Sequence, residues 1–182
     1  MRIVVGITGA SGVIYRKRLL EVAKEKGIEV HLVVSDAAKR VAEYELPGFD
    51  FSSLAYSTYQ NSDLAAPIAS GSFRVDAMVI VPASMKTVGS LASGICEDLI
   101  CRAADVQLKE RRKLVIVPRE TSIHAVHLEN MATLSKLGAV ILPAMPAFYH
   151  KPTSVSDIID FIVGRVFDQL GVEHNLFKRW GS

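Results

Sequence analysis

The sequence predicts an α/β protein in which a single parallel, doubly wound sheet carries helices on both faces. Short apolar runs of strand length alternate along the chain with longer amphipathic stretches, and right-handed crossovers join such units into a parallel sheet. The 182 residues, 49% hydrophobic and 22% charged, suffice for one well-packed core. No linker, repeat or low-complexity segment interrupts the pattern, so residues 1–182 are predicted to form one domain.

The first half of the chain predicts two strands, each followed by a helix, and then an irregular segment. Residues 2–7 are an apolar run of strand length, and residues 13–26 place apolar side chains at helical spacing before a glycine. Residues 29–34 alternate and then run apolar, which predicts a second strand, and a helix follows over 36–45. Residues 48–61 are polar and aromatic without a clear period, which predicts a loop or flap.

The second half continues the alternation. Residues 77–81 and 113–117 are apolar runs that each end at a proline, and they predict the third and fourth strands. Residues 99–112 carry apolar side chains on one helical face. Residues 123–137 predict a further helix, which the following glycine can end.

The chain closes with a short strand, a turn and a long helix. Residues 139–142 predict the fifth strand, and the proline-rich segment 143–152 predicts a turn. Ser154 and Asp157 have the spacing of a capping pair for a helix over 155–170. The apolar stripe of this helix needs a partner surface.

Composition and charge exclude several classes of protein. The net charge of +2, without a run of five basic residues, argues against nucleic-acid or membrane-surface binding. No apolar stretch approaches the roughly 20 residues of a membrane span, and the first apolar run is too short for a signal peptide. Cys96 and Cys101 are too few for a disulfide framework, and His124 and His127 lack a third metal ligand. These features predict a reduced, cytoplasmic protein without a bound metal.

A glycine-rich turn, GITGASG at residues 6–12, connects the first strand to the first helix. Free N–H groups and the positive dipole end of a helix could bind a phosphate there. The glycine spacing differs from the dinucleotide fingerprint, so Asp36 after the second strand does not indicate an NAD enzyme. A tight turn that needs small residues only for packing explains the motif equally well.

Two more polar turns follow the third and fourth strands, over residues 83–87 and 119–121. The carboxyl ends of parallel strands meet at one edge of the sheet, where ligands bind in open α/β folds. The repetition of polar turns at this edge favours a ligand site over packing alone.

Basic side chains on two predicted helices are candidates for binding an anion. Arg102 and Lys109 are seven residues apart and therefore share a helical face. Asp105 lies between them, so an exposed ladder of ion pairs would use the same residues. Arg165 has an equally ordinary explanation in pairing within its own helix.

Eight motifs in order resemble the flavin prenyltransferases of the UbiX type, over nearly the whole chain. They are GITGASG at 6–12, LVVS at 32–35, APIASGSF at 66–73, PASMKT at 82–87, RAADVQLKERR at 102–112, VPRET at 117–121, HLENM at 127–131 and PAFYHKP at 146–152. Ala83 stands where the family often has a cysteine, and Arg16 and Lys17 stand where a glycine is usual.

The resemblance implies a flavodoxin-like (Rossmann-like) fold that binds FMN and dimethylallyl monophosphate. The enzyme would join the five-carbon unit to N5 and then C6 of reduced FMN, without a metal. The prenylated FMN would serve a UbiD-type decarboxylase. Related proteins form homododecamers with sites shared between subunits, which predicts subunit contacts for residues 153–182 and a partner for Trp180.

The resemblance also assigns roles to individual residues. Those matching FMN contacts are Gly9, Ala10, Ser11, Ser35, Ser84, Met85, Lys86, Thr87 and Arg119. Tyr149 and Arg165 match prenyl-phosphate contacts, and Arg102 and Lys109 complete a cationic phosphate pocket that would also stabilise the leaving group. Glu45 and Glu120 match acidic residues near the reacting flavin, with Ser11 beside them as a third catalytic candidate.

Three alternatives remain open from the sequence. An FMN-dependent cysteine decarboxylase would share the fold but use a histidine-centred site, against which the Arg102, Lys109, Tyr149 and Arg165 set argues. A non-catalytic FMN carrier for a partner decarboxylase would bind flavin and form no adduct. A decarboxylase of phenolic acids would act without any partner protein.

Overall fold

The computed structural model describes residues 1–181 and shows a six-stranded parallel sheet with helices on both faces. Ser182, the last residue of the predicted domain and tail, lies outside the described residues. The strands are β1 Arg2–Ile7, β2 Glu29–Val34, β3 Ser57–Gln60, β4 Ala77–Ala83, β5 Lys113–Pro118 and β6 Val140–Ile141. The helices are α1 Val13–Glu25, α2 Asp36–Glu45, α3 Met85–Ala92, α4 Leu99–Lys109, α5 Ala125–Lys136 and α6 Val155–Leu170.

The strand order, β3-β2-β1-β4-β5-β6, makes the predicted architecture specific. Every neighbouring pair is parallel. The five predicted strands, taken without β3, follow the flavodoxin-like order, and β3 extends that sheet by one edge strand. The order reverses between β1 and β4, and such a switch point is where ligands bind in open α/β sheets. The fold class predicted from the sequence is confirmed.

The prediction of a loop over residues 48–61 is wrong in its last part, because Ser57–Gln60 forms the edge strand β3. This strand pairs with β2 in a register that sets His31 opposite Ser57 and Val34 opposite Gln60. Its side chains alternate between half-buried and exposed, without an apolar run. An edge strand has one neighbour and one covered face, so its sequence carries little hydrophobic signal.

The sheet divides the core into two layers. Ile3, Val5 and Ile7 of β1 face one layer with α1, α2 and α6, whereas Val4 faces the other with α3, α4 and α5. This alternation follows from the two-residue period of a strand. Helices α4 and α6 therefore lie on opposite faces of the sheet, which matters for the site below.

Local capping explains the helix boundaries. Ser154 Oγ accepts from the backbone N–H of Asp157, and the Asp157 carboxylate accepts from the N–H of Ser154 at 3.0 Å, which confirms the predicted capping pair. The predicted helix over 99–112 ends earlier, at Lys109, because Arg111 adopts a positive φ of 55°.

No helix within residues 1–181 is long and apolar enough to cross a bilayer.

Candidate functional site

A buried threonine ties the turn after β1 to the turn after β4. Thr8 Oγ1 donates to the carbonyl of Pro82 at 2.9 Å and accepts from the backbone N–H of Ser84 at 2.7 Å. Thr8 is only 3% exposed, so water does not compete for these bonds. The glycine-rich turn and the hydroxyl-bearing turn therefore meet at the switch point of the sheet.

The turn after β5 joins the same cluster through Arg119. Its backbone N–H donates to the carbonyl of Ala83 at 3.2 Å, and its Nε donates to the carbonyl of Ser11 at 3.1 Å. The three polar turns that the sequence placed at one edge of the sheet are in contact, as predicted from the parallel topology.

Two residues bring the end of β2 into this edge. A Cβ on Gly9 would lie 2.6 Å from the Cβ of Ala37, closer than side-chain atoms pack. Gly9 therefore lets the first turn approach the start of α2. Ser35 caps that helix, with its Oγ accepting from the N–H of Ala38 at 3.2 Å.

The predicted hydroxyl turn forms the start of α3. Ser84 Oγ accepts from the N–H of Thr87 at 3.4 Å and lies 3.1 Å from Thr87 Oγ1. Lys86 pairs with Asp98 at 3.2 Å across the surface, whereas Ala10 and Met85 are buried. A cleft of about 100 Å³ beside this turn is lined by Met85, Arg119, Glu120 and residues of the neighbouring loops.

The Glu45 carboxylate occupies the N-terminus of α1. It accepts from the backbone N–H of Gly12 at 3.0 Å and from that of Val13 at 2.8 Å. Burial raises the pKa of Glu45, but hydrogen bonds from Ser11 and from these two N–H groups outweigh it and bring the pKa below its ordinary value. The prediction of free N–H groups at this helix is therefore wrong for Gly12 and Val13.

The two cationic residues on α4 are paired locally. Arg102 Nη1 lies 3.2 Å from the carboxylate of Asp105, and its Nε donates to the carbonyl of Ala69. Lys109 Nζ lies 3.6 Å from the Glu110 carboxylate, a different partner from the Asp105 that the sequence suggested. Both side chains remain partly exposed.

The other two predicted phosphate contacts lie with the opposite helical layer. Arg165 on α6 pairs with Asp168 at 3.0 Å. The Tyr149 ring packs edge-on against Trp180, with ring centroids 5.2 Å apart, and also contacts Phe161 of α6. Because α4 and α6 cover opposite faces of the sheet, one chain does not gather all four side chains. Their convergence stays a prediction that requires neighbouring copies.

A basic cleft of about 430 Å³ surrounds Tyr149. Lys151, Lys178 and Arg179 line it together with Trp180. Arg179 also pairs with Asp168 at 2.8 Å, which draws the tail back onto α6. The gathering of Lys151, Lys178 and Arg179 beside Tyr149 was not predicted from the sequence, although the run of basic and aromatic residues at the tail could have indicated it.

No group of three or more potential metal ligands occurs among residues 1–181. The rings of His124 and His127 stack with centroids 3.6 Å apart instead of diverging around a shared point. The hydroxyls, backbone amides and Arg119 guanidinium at the sheet edge suit an organic phosphate, and the Glu45 carboxylate beside them is already bound to the N–H groups of Gly12 and Val13.

Comparison with known proteins decides the family. The model of the Flavoprotein family matches residues 1–167. Flavin prenyltransferase UbiX of Methanocaldococcus jannaschii is 53% identical over 184 residues, covering 100% of both chains. The protein of the same name from Methanothermobacter thermautotrophicus is 50% identical over 98% of this chain and 94% of its own. The chain belongs to the UbiX family of flavin prenyltransferases.

Solved structures of UbiX-type proteins have the same fold. AnUbiX in complex with FMN and dimethylallyl pyrophosphate is 44% identical, with a TM-score of 0.96 over 100% of this chain and 97% of its own. A dodecameric FMN-dependent UbiX-like decarboxylase from Escherichia coli O157:H7 is 45% identical, with a TM-score of 0.96 over 100% of both chains. The peptidyl-cysteine decarboxylase EpiD shares 16% identity and a TM-score of 0.64, which shows the common fold alone.

Proposed function

We propose that this chain transfers the dimethylallyl group of dimethylallyl monophosphate to N5 and C6 of reduced FMN and supplies the product to a UbiD-type decarboxylase. One observation carries the proposal. The hydrogen-bonded cluster of turns at the switch point occurs in a chain that is 53% identical, over its full length, to a flavin prenyltransferase.

The residues at this edge fit FMN. Ser35, Ser84 and Thr87 present hydroxyls at helix starts, and Arg119 adds a positive charge beside them. Gly9 keeps the first turn free of a side chain where backbone and ligand would meet. A relative of 44% identity was solved with FMN, which supports the same ligand here. When bound, reduced FMN supplies two nucleophilic centres, N5 and C6.

The charged residues would act on the prenyl phosphate. Departure of phosphate breaks the allylic C–O bond, the electron pair leaves with phosphate, and positive charge develops on the five-carbon unit. Arg102, Lys109 and Arg165 would stabilise the departing phosphate, and the Tyr149 hydroxyl would donate a hydrogen bond to it. Attachment at N5 would displace the N5 proton, and attachment at C6 would require a proton on the prenyl double bond and loss of the C6 proton. Glu120 or the released phosphate would carry these protons. The balanced result is one phosphate released and one C5H8 unit gained.

Assembly would complete this site. Trp180 is 80% exposed and Val155 on α6 is 72% exposed, and exposed apolar groups of this size favour subunit contacts for residues 153–182. The dodecameric relative from E. coli O157:H7 supports the same state here. Sharing between copies would bring α4 of one subunit to α6 of another. The free thiols of Cys96 and Cys101 and the reduced acceptor are consistent with a cytoplasmic location.

Anaerobic incubation of the full chain with reduced FMN and dimethylallyl monophosphate tests the proposal. We expect mass spectrometry to show FMN heavier by one prenyl unit, with release of one phosphate per adduct. Dimethylallyl diphosphate is assayed in parallel, because the related complex was solved with that compound. Bound but unchanged FMN with both donors would support a non-catalytic carrier instead.

Two further assays separate the remaining alternatives. The purified chain is incubated with phenolic acids without any partner protein, and carbon dioxide release there would support a direct decarboxylase. A peptide ending in cysteine is incubated with the FMN-loaded chain, and oxidative loss of its carboxylate would support the cysteine decarboxylase. We expect neither product.

A further inference from the structure

Arg16 on α1 is a fully buried cation. Its exposed fraction is 0%, and it heads the largest fully buried side chains by volume. None of its three guanidinium nitrogens has a hydrogen-bond partner among residues 1–181. Burying an arginine whose donors are unsatisfied is strongly unfavourable, so such a group points to a missing acceptor.

The surroundings of Arg16 do not supply that acceptor. The Phe51 ring covers one face of the guanidinium, with its centroid 3.7 Å from Cζ, and a ring face offers no strong acceptor. Glu45 contributes a favourable charge, but its carboxylate oxygens are bound to the N–H groups of Gly12 and Val13. Burial lowers the pKa of Arg16 to about 10, with the charge of Glu45 opposing the shift, so the side chain remains a cation at neutral pH.

A cavity of about 260 Å³ adjoins the Arg16 side chain. It lies between α2, the segment 48–52 and the ends of β2 and β3, and Arg16 is one of its lining residues. Its walls are mostly apolar and include Leu32, Val34, Leu46, Phe49 and Phe51, while Thr58 and Gln60 of β3 add polar groups. Charged side chains, Lys39, Glu43 and Asp50, line it as well and are exposed at its rim.

We propose that this cavity binds a small monocarboxylate with an apolar body, whose carboxylate pairs with the Arg16 guanidinium. The planar fork of N–H donors matches the two oxygens of a carboxylate. One buried positive charge balances one negative charge. At the rim, the carboxylates of Glu43 and Asp50 outnumber the single cation Lys39, which disfavours a dianion such as a phosphate monoester. The apolar walls accommodate the rest of the molecule.

Entry of the ligand requires movement of Phe51. The guanidinium nitrogens of Arg16 are closed to water, and the Phe51 ring both covers them and lines the cavity. Phe51 immediately precedes a single helical turn, Ser52–Leu54, in the segment between α2 and β3. Displacement of this one ring would expose the guanidinium to a bound carboxylate.

Calorimetric titration of the full chain with benzoate tests the proposal, and FMN is present throughout. Benzamide, a neutral molecule of the same shape, is the ligand control. We expect saturable binding of benzoate, a loss of affinity of at least about tenfold in Arg16→Met, and no binding of benzamide. Arg40→Met is the matched variant, because Arg40 is an exposed residue of the neighbouring helix α2, and it should bind benzoate as the unmodified chain does.

Thermal unfolding gives a second readout, in which Arg16→Met should gain stability without ligand but lose the stabilisation by benzoate. Without ligand, Arg16→Met should unfold at a higher temperature than the unmodified chain, because methionine fills the space without burying a charge. Added benzoate should raise the unfolding temperature of the unmodified chain and leave that of Arg16→Met unchanged. Arg40→Met again serves as the control.

Three results would overturn the proposal. The first is absence of saturable benzoate binding to the unmodified chain. The second is unchanged benzoate affinity in Arg16→Met, which would place the binding elsewhere. The third is a changed subunit number for Arg16→Met in light scattering, because that would make a neighbouring subunit the partner of Arg16.

Discussion

The switch-point turns and the prenyl-phosphate residues are the two halves of the proposed site, and the chain organises them differently. The turns after β1, β4 and β5 are joined by short hydrogen bonds of Thr8, Ser84 and Arg119, largely through backbone groups. In contrast, Arg102 and Arg165 end in local ion pairs on helices that cover opposite faces of the sheet. The fold of one chain therefore preorganises the first half, whereas in the proposal the second half is completed by a neighbouring subunit.

The difference follows from what each half must do. A flavin would be held for the whole reaction, and turns that are already fixed by hydrogen bonds to one another could hold it at little entropic cost. Long basic side chains keep their rotamer freedom until a ligand or a neighbouring subunit fixes them. Local partners such as Asp105 and Asp168 neutralise these charges in the meantime.

The largest effect on activity should come from removing one cation of the prenyl-phosphate half of the proposed site. We expect Lys109→Ala or Arg165→Ala to lower prenyl transfer by about 100- to 1000-fold, because each removes charge stabilisation from the departing phosphate. FMN affinity should stay unchanged, since the switch-point turns are intact. Arg40→Ala, at an exposed position, is the control for transfer rate. Loss of flavin would mean that these cations belong to the first half.

Mixing two inactive variants sharpens the same comparison. If α4 and α6 of different subunits share a site, co-expressed Arg102→Ala and Arg165→Ala chains should recover about a quarter of the activity by random assembly. Each variant expressed alone should stay inactive. Activity that never returns in mixed oligomers would place both residues in one chain's site.

Thr8→Val should cause the next largest effect by breaking the first half. The substitution keeps the shape but leaves the carbonyl of Pro82 and the N–H of Ser84 without their buried partner. We expect the free energy of unfolding to fall by about 2–3 kcal/mol and FMN affinity to fall with it. Thr8→Ser retains the hydroxyl and should lose much less. Denaturant unfolding at one protein concentration measures the free energy of unfolding of both variants.

Glu45→Gln should have a smaller effect that depends on pH. The folded-state pKa of Glu45 is lowered, so its contribution to stability is present above the unfolded value of about 4.3 and is lost as pH falls through the folded value. Without flavin, the variant should be less stable at pH 7 by about 1 kcal/mol, the usual value of a helix cap. The difference should close in acid below about pH 4. A pH-independent difference would contradict this assignment.

Trp180→Ala should have the smallest effect on the isolated chain. The ring is 80% exposed and contacts Tyr149 edge-on, so its loss should change the unfolding free energy by less than about 1 kcal/mol. The same substitution should weaken subunit association, measured by light scattering on dilution. Unchanged assembly would remove Trp180 from the proposed contacts.

Much of the switch-point half of the proposed site could be predicted from the sequence. Apolar runs that end at Pro82 and Pro118 locate strand ends, and the hydroxyls and glycines that follow them locate the turns. Parallel topology then requires these turns to share an edge. The capping pair of Ser154 and Asp157 is likewise a local signal, because both partners lie within one helical turn.

Other features carried no local signal. Nothing near Glu45 in the sequence indicates that its carboxylate would cap α1, since that contact joins residues 33 positions apart. Arg16 departs from the glycine usual in the family, but nothing beside it in the sequence indicates its burial, which depends on the packing of Phe51 over it. The edge strand β3 is defined by its pairing with β2 and not by its own residues.

The amino-acid sequence by itself determined the alternation of strands and helices, the polar turns at one sheet edge and the family, because each is written in residues close together in the chain. Only the tertiary structure decided that Glu45 fills the first helix terminus, that Arg16 is buried beside a cavity, and that Arg102 and Arg165 lie on opposite faces. The physical reason is that burial and charge pairing are set by residues distant in sequence, which the folded chain alone brings together.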